Sequence, residues 1–268
     1  MQKVELHTKV CSEQVSPAFG NTLLAPVPLS VVFNEDCMVG FKRFPDGYFD
    51  LAICDIPYGI NVGKMAYLKE TKTTVKQKNG TRLNGNKNKE VYTQKDWDKE
   101  PPTQEYFDEL KRVSKEQIIF GIEYVNWQGV GSGRIKWNKG VAEGMSFKQY
   151  ELAYCSMIDE EIELPLLWAG MCQAKSLSEP MTQQGNKKLN EKRIHPCHKP
   201  VMLYDAIYLR FGFEGMKVID THLGGGSNRI SCNKLNYEFV AAEIDKEYFD
   251  KQEKRYRSHV SKLRFANW

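Results

Sequence analysis

Two stretches of the chain set acids beside residues that shape backbone or grip a ring. The first, LAICDIPYGI (51–60), carries an apolar run straight into Asp55, Ile56, Pro57 and Tyr58. A strand ending in a plain turn needs only small or polar residues at its tip, so a tyrosine held beside a proline points to something being gripped. The second, KVIDTHLGGGSNRISCNKLNYEFVAAEID (217–245), takes a strand ending in Asp220 into Gly224, Gly225 and Gly226. A short helix and a second strand ending in Glu243 follow. Glycines let a ligand approach the backbone closely at the carboxyl end of a strand, and an acid at the tip of the next strand is placed to bind ribose hydroxyls. The same glycines also suit a tight strand-to-helix connection with no ligand.

The dinucleotide fingerprint Gly-x-Gly-x-x-Gly does not fit the second stretch. It requires a glycine or alanine three residues beyond Gly226, where Arg229 stands. A large side chain there works against close helix packing on a pyrophosphate. The alternative is a nucleoside cofactor without phosphate, S-adenosylmethionine.

These residues need strands that end together. Six segments read as buried strands: FDLAICD (49–55), EQIIFG (116–121), GRIKWN (133–138), QYELAYCS (149–156), MKVIDT (216–221) and YEFVAAEID (237–245). Alternating with helical stretches, they predict a doubly wound α/β fold with a mostly parallel sheet. PPTQEYFDELKRVS (101–114) spaces Tyr106, Phe107, Leu110 and Val113 on one face of a helix. KPVMLYDAIYLRFG (199–212) is read the same way, with Val201, Leu203, Ile207 and Leu209 facing the sheet and a glycine ending it.

With its motifs in this order the chain resembles the DNA amino-methyltransferases, which modify the exocyclic amine of adenine or cytosine. Their acceptor motif Asp-Pro-Pro-Tyr is matched by Asp55, Ile56, Pro57 and Tyr58. Their cofactor motif Asp-Pro-Phe-x-Gly-x-Gly is matched by Asp220, Thr221, His222, Leu223, Gly224, Gly225 and Gly226. Ile56, Thr221 and His222 depart from the pattern. In the β class the acceptor motif comes first and a segment like HPTQKP opens a helix just ahead of the cofactor motif; IHPCHKPVMLYDAI (194–207) stands there. NEDCMVGFKRFPDGYFDLAICD (34–55), IIFGIEYVNW (118–127) and IKWNKG (135–140) resemble further family segments, so the likeness runs from about residue 31 to 263.

The resemblance implies a single Rossmann-like S-adenosylmethionine-dependent methyltransferase domain over 1–268, with the family's permuted motif order. Its sheet would have seven strands, one of them antiparallel and near an edge. It implies adenine N6 methylation in double-stranded DNA by base flipping and direct transfer. Asp55 and the carbonyl of Ile56 would accept the amine hydrogens, Pro57 would fix the chain direction and Tyr58 would stack on the base. Gly224 and Gly226 would admit the cofactor beside Asp220 and His222, with His222 either lining the pocket or only filling the family's phenylalanine space. Glu243 would hold the ribose, Asp36 would reach the adenine amine or cap a helix, and Lys199 and Pro200 would lie along the methionine tail. Cytosine N4 methylation and a non-catalytic DNA-binding relative are the alternatives.

A net charge of +4 tilts toward a polyanionic partner without the profile of a nucleic-acid coat protein. The lysine- and asparagine-rich insertion (61–99) is either a solvated loop or a grip on phosphate. A second polar segment (157–194) stands where the family reads its target, and its shortness leaves specificity relaxed or shared with the first insertion or a homodimer partner. Seven cysteines without a Cys-x-x-Cys pair read as reduced thiols, and no apolar run suits a signal peptide or membrane span. The expected setting is bacterial or phage-encoded, cytoplasmic, of restriction-modification type. His195, Cys197 and His198 invite a zinc site, but no partner Cys/His pair lies at suitable spacing and no metal is expected. Trp127, Trp137 and Trp168 are expected in the core.

Overall fold

The computed structural model describes residues 29–62, 75–76, 82–83, 95–144 and 148–266. In chain order the elements are β1 (Ser30–Phe33), α1 (Cys37–Phe41), β2 (Phe49–Asp55), a small hairpin of β3 (Val75–Lys76) and β4 (Arg82–Leu83), α2 (Gln104–Val113), β5 (Ser114–Phe120), β6 (Arg134–Asn138), β7 (Tyr150–Cys155) and β8 (Glu161–Pro165). There follow a second hairpin of β9 (Trp168–Ala169) and β10 (Cys172–Gln173), then α3 (Val201–Phe211), β11 (Lys217–Asp220), α4 (Ser227–Lys234), β12 (Glu238–Ala242) and α5 (Lys246–Ala266).

The main sheet runs β1-β12-β11-β2-β5-β7-β6-β8. Seven of its strands share one direction, and β7 alone opposes its neighbours β5 and β6. Counted from β11 as the first strand, the order β1-β12-β11-β2-β5 reads 3-2-1-4-5, the doubly wound Rossmann arrangement entered partway round. The strand order reverses between β11 and β2, the place where such sheets bind ligands. The chain puts its glycine turn after β11 and Asp55 at the end of β2.

Alternation along β2 explains the layers. Leu51 and Ile53 point into one apolar cluster with Leu203 and Ile207 of α3, while Ala52 and Cys54 point into the other with Tyr106, Phe107 and Leu110 of α2. A strand covered on both faces reads as a continuous apolar run, which is why FDLAICD shows no polar alternation.

The structure corrects the sequence reading in several places. The sheet has eight strands rather than seven. β8 joins its edge parallel to β6 with a half-exposed, alternating pattern that lacks the signature of a buried strand. The antiparallel β7, grouped above with the buried parallel strands, lies third from that edge. Leu209 does not face the sheet: it is 81 % exposed, and Leu203, Tyr204, Ile207 and Tyr208 form the buried stripe. Gly212 ends α3 as expected, but with ordinary backbone geometry, so what the glycine supplies there is space. A Cβ there would lie 2.5 Å from the hydroxyl of Tyr237, whose ring packs on Tyr208. Trp127, Trp137 and Trp168 are buried as expected. Most of the lysine-rich insertion, with its expected contact to phosphate, lies outside the described residues.

Candidate active site

Asp55 is the last residue of β2 and leads directly into the loop of Ile56, Pro57 and Tyr58. The side chain of Ile56 is only 2 % exposed, which leaves its backbone as the part that can face the cavity. The Tyr58 hydroxyl donates to Asp55 Oδ1 at 2.9 Å. Its ring stacks on Tyr124 with centroids 4.7 Å apart and planes 12° from parallel. Gly121, with φ +85°, makes room for this ring, because a Cβ there would lie 2.1 Å from Tyr58 Cε1. One face of Tyr58 is therefore already covered, and the expected base stacking is restricted to the other.

The loop is tied down from outside. Asp98, buried at 2 % exposure, accepts from the backbone N–H groups of Tyr58 at 2.6 Å, Gly59 at 3.0 Å and Val62 at 2.8 Å. Neighbouring residues extend the tie: Trp97 packs on His195 with ring centroids 5.0 Å apart, and Lys95 pairs with Asp245 at 2.9 Å and Glu247 at 3.0 Å. Residues 95–98 thus link the acceptor loop to the segment before α3 and to the start of α5.

Lys199, expected along the methionine tail, directs its ammonium at Asp55. Its Nζ lies 2.5 Å from Asp55 Oδ1, 3.0 Å from Glu151 Oε2 and 3.3 Å from the Tyr58 hydroxyl, with the Phe120 ring 4.7 Å away. Glu151, on β7, is also paired with Lys139. Burial works against the ionised forms of all three inner groups. Lys199 and Lys139 nevertheless hold the Glu151 carboxyl down at about 2, and the two carboxylates hold the Lys199 ammonium above its usual range. For Asp55, burial wins and raises the carboxyl, Lys199 opposes it, and Glu151 adds to the rise. The same burial, with the Asp55 charge, raises Tyr58.

The glycine turn forms the other wall. Gly224 and Gly226 hold left-handed backbone at φ +53° and +72°, a conformation that only glycine adopts cheaply. Glu243 Oε2 accepts from Gly224 N–H at 2.8 Å and its Oε1 from Asp245 N–H at 2.8 Å, while burial raises its carboxyl to about 7. Asp220 is turned inward: it accepts from His222 N–H and Asn228 Nδ2 at 3.1 Å each, with burial raising it to about 7. His222 lies against the Tyr106 ring, its Nδ1 2.9 Å from Thr221 Oγ1, and burial lowers it to about 4, leaving it neutral. Asp36 caps α1 by accepting from Met38 N–H at 2.8 Å.

Under the turn lies a clamp that sequence reasoning missed. Glu191 lies 2.9 Å from His198 Nε2 and 2.5 Å from Arg255, and accepts from Val201 N–H at 3.0 Å. Arg255 also donates to the Gly225 carbonyl and to Ser227 Oγ. His198 presses on the turn so closely that a Cβ on Gly225 would fall 2.2 Å from its Nδ1.

Both walls border one open cavity. Asp36, Asp55, Ile56, Pro57, Tyr58, Lys199, His222, Gly224 and Glu243 all line it. Three expected residues stand apart: Asp220 supports the turn from behind, Gly226 starts α4 against Gln252, and Pro200 caps α3 beside a separate pocket near Leu166 and Trp168. Of the unforeseen residues, Glu151 alone left a mark in the sequence, as an acid inside the apolar YELAYC. Asp98 and Glu191 sit in polar stretches where acids are commonplace. His195 packs on Tyr248 and His198 is bound to Glu191; among the described residues no three His, Cys, Asp or Glu side chains gather as a metal site. Nor is any described helix long and apolar enough to cross a membrane.

No protein-family model matches the chain. Over 70 residues, 26 % of this chain, it is 33 % identical to the type II methyltransferase M.HpaI of Haemophilus parainfluenzae. That match spans 22 % of the relative's length. Similar solved structures include M1.HpyAVI in complex with SAM, 15 % identical with a TM-score of 0.47, covering 84 % of this chain and 98 % of that one. TTHA0409 of Thermus thermophilus, complexed with S-adenosyl-L-methionine, is 13 % identical with a TM-score of 0.44, covering 87 % and 95 %. The cytosine-N4-specific PvuII DNA methyltransferase is 10 % identical with a TM-score of 0.45, covering 85 % and 87 %.

Proposed function

We propose that the chain is an S-adenosylmethionine-dependent DNA methyltransferase acting on the exocyclic N6 amine of adenine. The observation that carries this reading is the meeting of the Asp55–Tyr58 loop and the glycine turn in one cavity at the strand-order reversal. A methyl donor and an amine acceptor must share such a space for direct transfer. The donor set fits a nucleoside: buried glycine backbone, with Glu243 for the ribose.

An exocyclic amine is a poor nucleophile because its lone pair is delocalised into the ring. Acceptors hydrogen-bonded to its two N–H groups draw the nitrogen toward tetrahedral geometry as the N–C bond forms and the sulfonium S–C bond breaks, and one of those N–H protons then leaves toward its acceptor. The Asp55 carboxylate and the Ile56 carbonyl stand side by side at the end of β2 for that purpose, and Pro57 keeps their directions fixed. The open face of Tyr58 receives the flipped base; stacking worth roughly 1–3 kcal/mol offsets part of the few kcal/mol of unstacking. Asp98 holds this loop in place and Tyr124 backs the ring. Bound S-adenosylmethionine supplies a methyl group on a positively charged sulfur. The acid, rather than serine or asparagine, at position 55 favours adenine by analogy with the family.

Incubating the protein with labelled S-adenosylmethionine and unmethylated DNA, followed by nucleoside analysis, tests the proposal. Label in N6-methyladenine that disappears with Asp55→Ala is expected. Label in N4-methylcytosine would transfer the reading to the cytosine enzymes, and absence of label on DNA would overturn it.

A further inference from the structure

The buried charges around Asp55 have a role that the acceptor motif does not describe. Asp55 and Glu151 are contributed by β2 and β7, strands separated in the sheet by β5, and each reaches the same ammonium of Lys199. Lys139 balances the outer end at Glu151. Two carboxylates and two ammonium groups make the set neutral overall, and of the two lysines Lys199 is the one bound to both acids. Both of the closest contacts to Asp55, from Lys199 and from the Tyr58 hydroxyl, arrive at Oδ1.

We propose that Lys199 is a positioning residue for Asp55 rather than a ligand of the cofactor. It holds Oδ1 so that Oδ2 is presented to the amine, and it keeps the buried carboxylate charged, with Glu151 anchoring the lysine. This rests on the proposed methyl transfer and names how that site keeps its acceptor ready.

The electrostatics agree in sign. The titratable groups facing Asp55 are Tyr58 from its own loop, Lys199 and Cys197 from the segment before α3, Tyr204 from α3, Glu151 from β7 and Asp220 from β11. Among them Lys199 is the cation; the others are acids whose ionised forms would raise Asp55. Burial already lifts the Asp55 carboxyl, and Lys199 is the main influence holding it down. Removing the ammonium leaves Asp55 protonated to higher pH, and a neutral carboxyl is a much weaker acceptor for the amine hydrogen than the carboxylate.

The test compares Lys199→Met and Lys199→Arg with the unsubstituted protein. Three readouts are needed: S-adenosylhomocysteine affinity by calorimetry, single-turnover methyl transfer across pH, and thermal melting. Lys199→Met is expected to bind S-adenosylhomocysteine within about threefold of the parent. Its transfer rate at pH 7 should fall about 100-fold, and the acid limb of its pH–rate profile should move up by at least one unit. Lys199→Arg, which keeps the charge, should restore the limb and recover most of the rate. A large loss of S-adenosylhomocysteine affinity with the acid limb unmoved would overturn the inference and return Lys199 to the cofactor tail. If Lys199→Met does not fold, an arginine variant whose limb shifts as far as one pH unit would equally overturn it. Failure of the unsubstituted protein to bind S-adenosylhomocysteine or methylate DNA would instead remove the functional reading beneath it.

Discussion

At the scale of single residues, Gly225 shows how narrowly the turn is built. It is the middle glycine, with none of the left-handed backbone of its neighbours, so its need for a missing side chain comes from His198. A Cβ at 2.2 Å from a buried ring atom cannot be relieved by a flexible end, because Glu191 and Trp168 also hold that ring. Overpacking of this kind costs roughly 1–3 kcal/mol. Gly225→Ala is expected to lower the melting temperature and weaken S-adenosylhomocysteine binding at least tenfold in calorimetry. Unchanged binding would mean that the turn is looser than its packing indicates. Asp36 teaches a different lesson at this scale: the same carboxylate caps α1 and lines the cavity, so the helix cap and the ligand contact are compatible readings of one side chain.

At the scale of elements, the stretch 95–98 governs the acceptor loop. Three backbone N–H groups after Pro57 converge on the Asp98 carboxylate, and hydrogen bonds to a charged acceptor contribute roughly 1.5–3 kcal/mol each. With Asp98→Ala, residues 58–62 lose their common acceptor while both strands of the core keep their packing. Amide exchange in that loop should rise at least tenfold with little change in β2 and β5, and methyl transfer should fall more than S-adenosylhomocysteine affinity. Exchange confined to the parent level would show that Pro57 and the Tyr124 stack suffice to hold the loop. The clamp of Glu191, Arg255 and His198 plays the corresponding part for the glycine turn, joining α5 and the polar segment before α3 to that wall of the cavity.

At the scale of the whole molecule, buried groups of opposite type set the pH dependence of stability. Burial pushes the Asp220 carboxyl up to about 7 in the folded chain from its ordinary value near 3.8. Its contribution to stability is therefore complete below about pH 4 and is lost as pH rises toward 7. His222, lowered to about 4, works the other way: its contribution is present above its usual 6.5 and is lost as pH falls through 4. Over the same window the two slopes oppose each other. Asp220→Asn removes only the first. Urea unfolding from pH 4.5 to 6.5 should show the variant gaining on the parent by about 1 kcal/mol per pH unit, near the 1.4 that one full proton would give. A constant difference between the two would show that Asp220 titrates normally.

The sequence by itself determined the six long strands, the two sheet-covering helices and the two motif loops. Each is encoded by neighbours in the chain: apolar runs, proline at a helix start, glycines at a turn. It also placed Asp55, Tyr58, Gly224 and Glu243 at strand ends, because a strand's end is a local property. The tertiary structure decided what those residues touch. Glu151 and Asp55 share the ammonium of Lys199 because β7 lies beside β5, a meeting of residues 48 to 144 positions apart that no local pattern carries. Asp98 finds its three amides across an insertion that separates it from them, and Leu209 turned outward because tyrosines at 204 and 208 fill the stripe that aliphatic periodicity had assigned to it. Local chemistry chooses which residues stand at the site; only the order of strands in the sheet decides which charges meet there, because Coulomb attraction depends on distance in space and not along the chain.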